Sequence, residues 1–129
     1  IMAVKALIYE DNPLLRESLC SLINAKDGYA VEAAHDNVLQ ATEHIKAIEP
    51  TIVLMDIDMP DLDGHEATKV IRGSENAASK HSFICALSGL SDDKSIAMST
   101  QAGMNLHMTK PVSFEKLDKL IEEIAQKTA

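Results

Sequence analysis

Apolar and polar positions alternate along this chain in two distinct periods. Short apolar runs bounded by turn residues fall at Val4–Tyr9, Tyr29–Ala34, Thr51–Met55, Phe83–Leu87 and Leu106–Met108, and each reads as a strand. Between them the apolar residues recur three and four apart, the spacing of a helix with one buried face. Asn12-Pro13 opens such a helix, which runs to about Ala25 with Leu15, Leu19, Leu22 and Ile23 on one side and the proline tolerated in its first turn. A second covers about Val38 to Ile48 and stops at Glu49-Pro50. A third starts near His65 and carries Ala67, Val70 and Ile71 inward. Ser91 caps a fourth, with Asp92-Asp93 in its first turn and Gly103 at its end. Ser113 caps the last, whose inner face is Phe114, Leu117, Leu120, Ile121 and Ile124. Gly73 to Lys80 is polar and small, and reads as a surface loop. Five strands alternating with five helices predict an α/β fold, a doubly wound parallel sheet. Residues 1–129 form one domain on this reading, without repeats, low-complexity tracts or an internal linker.

That architecture gives the polar residues their meaning. In a parallel sheet the carboxyl ends of the strands share one edge, where ligands bind. Glu10-Asp11 follow the first strand, Asp56 the third, Ser88 the fourth and Lys110 the fifth. Singly, each has an ordinary explanation: an acidic pair before a helix, a capping serine, a lysine in a loop. Together they converge on one rim. The stretch Met55-Asp56-Ile57-Asp58-Met59-Pro60-Asp61-Leu62-Asp63-Gly64 crowds further carboxylates there. Like charges repel, so such a cluster calls for a cation or for solvent. Asp61 and Asp63 read as solvated turn formers before Gly64.

Composition narrows the function classes. Aromatic residues make up 3% and Trp is absent, which removes base-stacking surfaces. A net charge of -8 argues against direct nucleic-acid binding and suits divalent cations and basic or amphipathic protein partners. Cys20 and Cys85 lie in apolar segments with no CxxC spacing and read as buried, reduced thiols. With no signal peptide and no apolar run of membrane-spanning length, a cytoplasmic location with no membrane association is expected. Ile1 ahead of Met2 points to a domain excised from a longer chain or to an added residue.

The set Glu10-Asp11, Asp56 within its acidic loop, Ser88 after Ile84-Cys85-Ala86-Leu87, and Lys110-Pro111 resembles the receiver domain of two-component response regulators and hybrid histidine kinases, over essentially the whole chain. The resemblance implies a flavodoxin-like (βα)5 sandwich with strand order 2-1-3-4-5. It implies that Asp56 accepts a phosphoryl group from a phosphohistidine on a sensor histidine kinase or histidine phosphotransfer protein. Asp11, Asp56 and the backbone carbonyl of Asp58 would then ligate Mg²⁺, with Mn²⁺ as an alternative, and Glu10 would act through a bound water. Lys110 would pair with Asp56 at rest and with a phosphoryl oxygen after transfer. Ser88 would donate its hydroxyl, and the N–H groups of Asp58 and Gly89 would complete the cradle.

The same resemblance implies a cis peptide at Lys110-Pro111. It also implies a switch in which Ser88 moves toward the phosphoryl group and the fifth-strand position held here by His107 turns inward. Asp58 and Leu90 would lie near the attacking water and set phosphoryl lifetime. The polar loop from Gly73 to Lys80 is longer than the family's usual connection and would leave the site in place. The fourth and fifth predicted helices, with the fifth strand, would form a homodimer or partner face; Met98, Met104, His107 and Met108 lie in that region, with core filling expected of at least half of the methionines. His35, His44, His65 and His81 read as surface histidines. The chain fits a stand-alone regulator, a hybrid-kinase receiver or a domain cut from a protein with an effector.

Two other readings compete. Asp56-x-Asp58 also matches the nucleophile and acid pair of haloacid-dehalogenase-like phosphatases, but there the pair follows the first strand and here it follows the third. A constitutive pseudo-receiver would have no use for Asp11, Asp56, Ser88 and Lys110 together.

Overall fold

A computed structural model describes residues 4–58, 63–89, 93–110 and 112–128. In chain order the elements are β1 (Val4–Tyr9), α1 (Pro13–Asn24), β2 (Tyr29–His35), α2 (Ala41–Ile48), β3 (Ile52–Asp56), α3 (Gly64–Arg72), α4 (Ala77–His81), β4 (Ile84–Ser88), α5 (Asp93–Ala102), β5 (Leu106–Thr109) and α6 (Phe114–Thr128). The strands form one sheet in the order β2-β1-β3-β4-β5, with every neighbouring pair parallel. This is the flavodoxin-like arrangement expected above.

The central strands are covered on both faces, which is why Ile52–Met55 and Ile84–Leu87 are unbroken apolar runs rather than alternating ones. The pleat divides them between two cores. Leu7, Tyr9, Val53, Met55, Ile84 and Ala86 pack with Ile45 of α2, Ala67 and Ile71 of α3, and Met104. Ala6, Ile8, Ile52, Leu54, Cys85 and Leu87 face the other way, onto Leu19 and Ile23 of α1 and Leu117, Ile121 and Ile124 of α6. Helix starts are fixed by side chains. Asn12 accepts from the N–H groups of Leu14 and Leu15, Asp63 from that of Glu66, and Ser113 from that of Lys116. Gly103, at φ 104°, ends α5 in the left-handed region that a side chain would disfavour.

Three local expectations are corrected. The α2 helix begins at Ala41 rather than Val38, because the Asn37 side chain accepts from Leu39 N at 3.1 Å and turns the chain first. Val70 is 60% exposed. The inward positions of α3 are Gly64, Ala67, Thr68 and Ile71, so a threonine takes the place expected of the valine. Its hydroxyl is satisfied by donating to Gly64 O at 2.7 Å. The stretch read as a loop contains α4, a sixth helix capped by Asn76, whose Oδ1 accepts from Ser79 N at 3.0 Å. Ser79 is buried, and Arg72 Nη1 donates to its carbonyl at 3.4 Å.

Three of the four histidines read as surface residues are engaged in packing or hydrogen bonds. His35 and His44 stack with ring centroids 4.0 Å apart, and the hydroxyl of fully buried Tyr9 meets His44 Nδ1 at 2.8 Å. Burial holds the Tyr9 hydroxyl protonated well above its ordinary range, so Tyr9 donates and His44 Nδ1 accepts. His65 contacts Ser99, while His81 is exposed. Both cysteines are free thiols, Cys85 buried and Cys20 half-buried. Among the described residues no helix is long and apolar enough to cross a membrane.

Candidate functional site

The carboxyl edge of the sheet gathers residues from four strand ends. Glu10 is the first residue past β1 and is fully buried, whereas Asp11 beside it is exposed. Asp56 closes β3 at 1% exposure, Ser88 closes β4 fully buried, and Lys110 follows β5 half-buried. Their alignment comes from strand register: Asp56 lies opposite Leu87, and Ser88 opposite Thr109. The ladder continues past the strands, with Ile57 N donating to Leu87 O at 3.1 Å and Lys110 N to Ser88 O at 2.7 Å.

Side-chain contacts then set the site. The Lys110 ammonium lies 2.9 Å from Glu10 Oε1 and 3.3 Å from Asp56 Oδ2, so at rest it serves both carboxylates and sits nearer the glutamate. Asp58 N donates to Asp56 Oδ1 at 2.9 Å, and Asn12 N to Glu10 Oε2 at 3.1 Å. Arg16, in the second turn of α1, donates from Nη1 to Glu10 O at 2.8 Å and holds the acidic pair at its strand end. On the far side Gly64 begins α3 against the acceptor backbone. A Cβ there would stand 2.7 Å from Asp56 O and 2.9 Å from Ile57 Cα. Only glycine fits that approach.

One carboxylate oxygen from each of Glu10, Asp11 and Asp56 lies within 4.8 Å of the others. Burial and the neighbouring Asp56 push Glu10 up to about 7, against the opposing pull of Lys110 and Asn12. Burial also acts on Asp11, but hydrogen bonding to Glu10 and Asp56 outweighs it and holds that group below the usual carboxylate range. Burial depresses Lys110, yet its bond to Glu10 and the charge of Asp56 prevail and hold it above the usual ammonium range. The three carboxylates therefore carry two more negative charges than the lysine neutralises, and a proton on Glu10 removes one of them. Hard oxygen donors short of positive charge fit a small divalent cation.

Among the expected site residues, Glu10, Asp11, Asp56 and Lys110 come together directly, and Ser88 adjoins them through the Lys110 backbone. Asp58 is exposed, with its N–H on Asp56. Leu90, the Ser91 cap, Asp61 and the Lys110-Pro111 peptide lie outside the described residues, as does the Phe114 side chain. His107 lies on β5 with its Nδ1 2.9 Å from Ser99 Oγ. Sequence reasoning missed Arg16, Ser99 and Arg72. The signal for Ser99 was a serine three residues before Ala102, on the inward period of its helix.

Comparison with known proteins points the same way. The family model described as "Response regulator receiver domain" matches residues 6–122. The transcriptional regulatory protein LnrK of Bacillus subtilis strain 168 is 32% identical over 118 residues, 92% of this chain and 52% of that protein. The CAI-1 autoinducer sensor kinase/phosphatase CqsS of Vibrio cholerae serotype O1 is 31% identical over 121 residues, 94% of this chain and 17% of that protein. The chain thus spans only part of the length of either relative. The receiver domain of sensor histidine kinase PA1611 from Pseudomonas aeruginosa PAO1, solved with a magnesium ion coordinated in its active site cleft, superimposes with a TM-score of 0.80 at 29% identity, covering 95% of this chain and 98% of that one.

Proposed function

The chain belongs to the response regulator receiver domain family of two-component phosphorelay signalling, and on that premise we propose that Asp56 is its phosphoacceptor. The observation that carries this reading is the setting of the Asp56 carboxylate. It ends a buried strand with Oδ1 oriented by Asp58 N–H and Oδ2 facing the Lys110 ammonium. In-line phosphoryl transfer asks mainly for position and charge stabilisation, and this carboxylate has both. A carboxylate oxygen of Asp56 attacks phosphorus, the N–P bond of a partner's phosphohistidine breaks, and the imidazole leaves with its electron pair and takes up a proton. Water later attacks the acyl phosphate, releasing inorganic phosphate and restoring the carboxylate. Asp11, Asp56 and the Asp58 carbonyl would hold Mg²⁺ or Mn²⁺, with Glu10 acting through water. The ion would neutralise the oxygens of the incoming phosphoryl group. Lys110 and the Ser88 hydroxyl bind the oxygens that remain.

The partner is a sensor histidine kinase or histidine phosphotransfer protein, and the location is cytoplasmic. The output surface, which also suits a homodimer, is the α5–β5–α6 side, with no direct nucleic-acid contact by this domain. The test is intact mass after incubation with Mg²⁺ and a small-molecule phosphodonor. One phosphoryl group is expected, and none after chelation. Steady turnover of a generic phosphate ester would instead favour the phosphatase reading.

Proton and metal compete at this site, which gives a prediction with a definite sign. In the metal-free protein the folded-state pKa of Glu10, about 7, lies above its ordinary 4.5. The stability from that proton is fully present below the lower value and is lost as pH rises through the higher one. Mg²⁺ held by Asp11 and Asp56 would offset that loss by neutralising the charge bared on Glu10. The thermal midpoint is therefore expected to rise more on adding Mg²⁺ at about pH 8 than at about pH 6. Equal shifts at both would show that the Glu10 proton and the metal do not share a site.

A further inference from the structure

Away from the acidic cluster, three polar side chains meet between α3, α5 and β5. Ser99 is buried at 1% exposure, and its Oγ lies 3.0 Å from His65 Nε2 and 2.9 Å from His107 Nδ1. A hydroxyl has one proton to give and lone pairs to receive others. With both rings neutral, Ser99 donates to one ring nitrogen and accepts an N–H from the other. One buried hydroxyl therefore ties a histidine of α3 to a histidine of β5 through α5.

Both ends of this chain lead back to Asp56. His65 follows Gly64, which is pressed onto the Asp56 carbonyl and whose N–H donates to Ile57 O at 3.3 Å. One turn further along α3, Thr68 Oγ1 donates to Gly64 O and touches Met55 Sδ, 3.6 Å away in β3. At the other end His107 lies opposite Ala86 of β4, three residues before the Lys110 that reaches Asp56. An aromatic hydrocarbon ring at position 107 would be held by packing alone and could turn. Turning this imidazole away costs a hydrogen bond to a hydroxyl shielded from water.

We propose that Ser99 and His65 pin the His107 ring, so that the first turn of α3, α5 and β5 form one hydrogen-bonded unit. The α5–β5 face then follows the backbone of Asp56 through α3, not through free rotation of the side chain at position 107. The link to phosphorylation rests on the phosphoacceptor role of Asp56, whereas the pin itself does not. Ser99 and His65 act here as positioning residues.

The test is the rate at which an imidazole-acylating reagent modifies His107 in the full chain, read by peptide mass, with exposed His81 as internal reference. Ser99→Ala is expected to speed modification of His107 about tenfold relative to His81, the loss of roughly one buried hydrogen bond. Ser99→Thr, which keeps the hydroxyl, is expected to remain within about twofold of wild type. Phosphorylating wild type is expected to leave the His107 rate slow. An unchanged rate in Ser99→Ala would overturn the pin. A wild-type rate that climbs to the Ser99→Ala level on phosphorylation would show a freely turning ring and overturn the rigid unit. If no phosphoryl adduct forms, the acceptor assignment fails by itself, and the unphosphorylated proteins still decide the pin.

Discussion

Asp56→Asn is expected to abolish phosphoryl uptake while leaving the fold intact or firmer. Asparagine keeps an oxygen that can accept the Asp58 N–H, now 2.9 Å from Asp56 Oδ1, so the loop after β3 retains its anchor. It offers no anionic oxygen to attack phosphorus, so the chemistry stops at its first step. Removing one of two buried like charges also relieves Glu10, whose raised pKa owes part of its shift to Asp56. Metal-free stability at neutral pH should rise by on the order of 1 kcal/mol, the worth of about one pKa unit. The midpoint gain on adding Mg²⁺ should shrink, because one of three carboxylates is gone. Mass spectrometry with a phosphodonor and thermal melts with and without Mg²⁺ check all three outcomes. An adduct on the variant equal to that on wild type would move the acceptor elsewhere.

Arg72→Ala is expected to lower stability, in contrast to Asp56→Asn, although Arg72 lies away from the acidic cluster. Its guanidinium donates to Gly103 O at 2.8 Å, Ser82 O at 2.7 Å and Asn105 Oδ1 at 2.7 Å, with longer contacts to the Ser79 and Lys80 carbonyls. Those acceptors are the end of α5, the end of α4 and the turns into β4 and β5. Alanine leaves several half-buried carbonyls to find water or go unpaired. The cost should be about 2–4 kcal/mol, lowering the thermal midpoint by about 10 °C. Lysine should recover little, since one ammonium on a flexible stem cannot reproduce a planar fork with separate partners. Once the protein is folded, phosphoryl uptake on Asp56 should remain within about twofold of wild type, because no Arg72 bond reaches the acidic cluster. A melt within experimental error of wild type would show that these bonds are replaced by water at no cost.

Much of the fold was legible along the chain because its signals are local. Unbroken runs such as Ile52–Met55 mark strands covered on both faces, and Asn12-Pro13 and Ser113 mark helix starts. Where reading failed, a polar side chain had found a partner that hydrophobic periodicity does not register. The turn at α4 looked like a loop because its stabilising contacts come from Arg72 and from Thr42 O, 37 residues away from Ser79. Val70 looked internal by its chemistry, yet Thr68 is inside because its hydroxyl finds a carbonyl one turn back. His35 and His44 looked like surface residues because their stack joins β2 to α2 across nine positions of sequence.

The amino-acid order by itself determined the doubly wound sheet, its single polar edge and the residues on that edge. Periodicity and strand ends are properties of neighbouring residues, and a parallel sheet allows its strand ends only one common side. Tertiary structure alone decided how the charges there are shared. The Lys110 ammonium rests closer to Glu10 than to Asp56, and Glu10 rather than Asp11 carries the raised pKa, because Glu10 is fully buried and Asp11 is exposed. Tertiary structure also made the buried Ser99 hydroxyl a bridge between two histidines 42 positions apart, His65 and His107. Depth and distance follow from packing three elements against each other, and no run of residues along one of them encodes that.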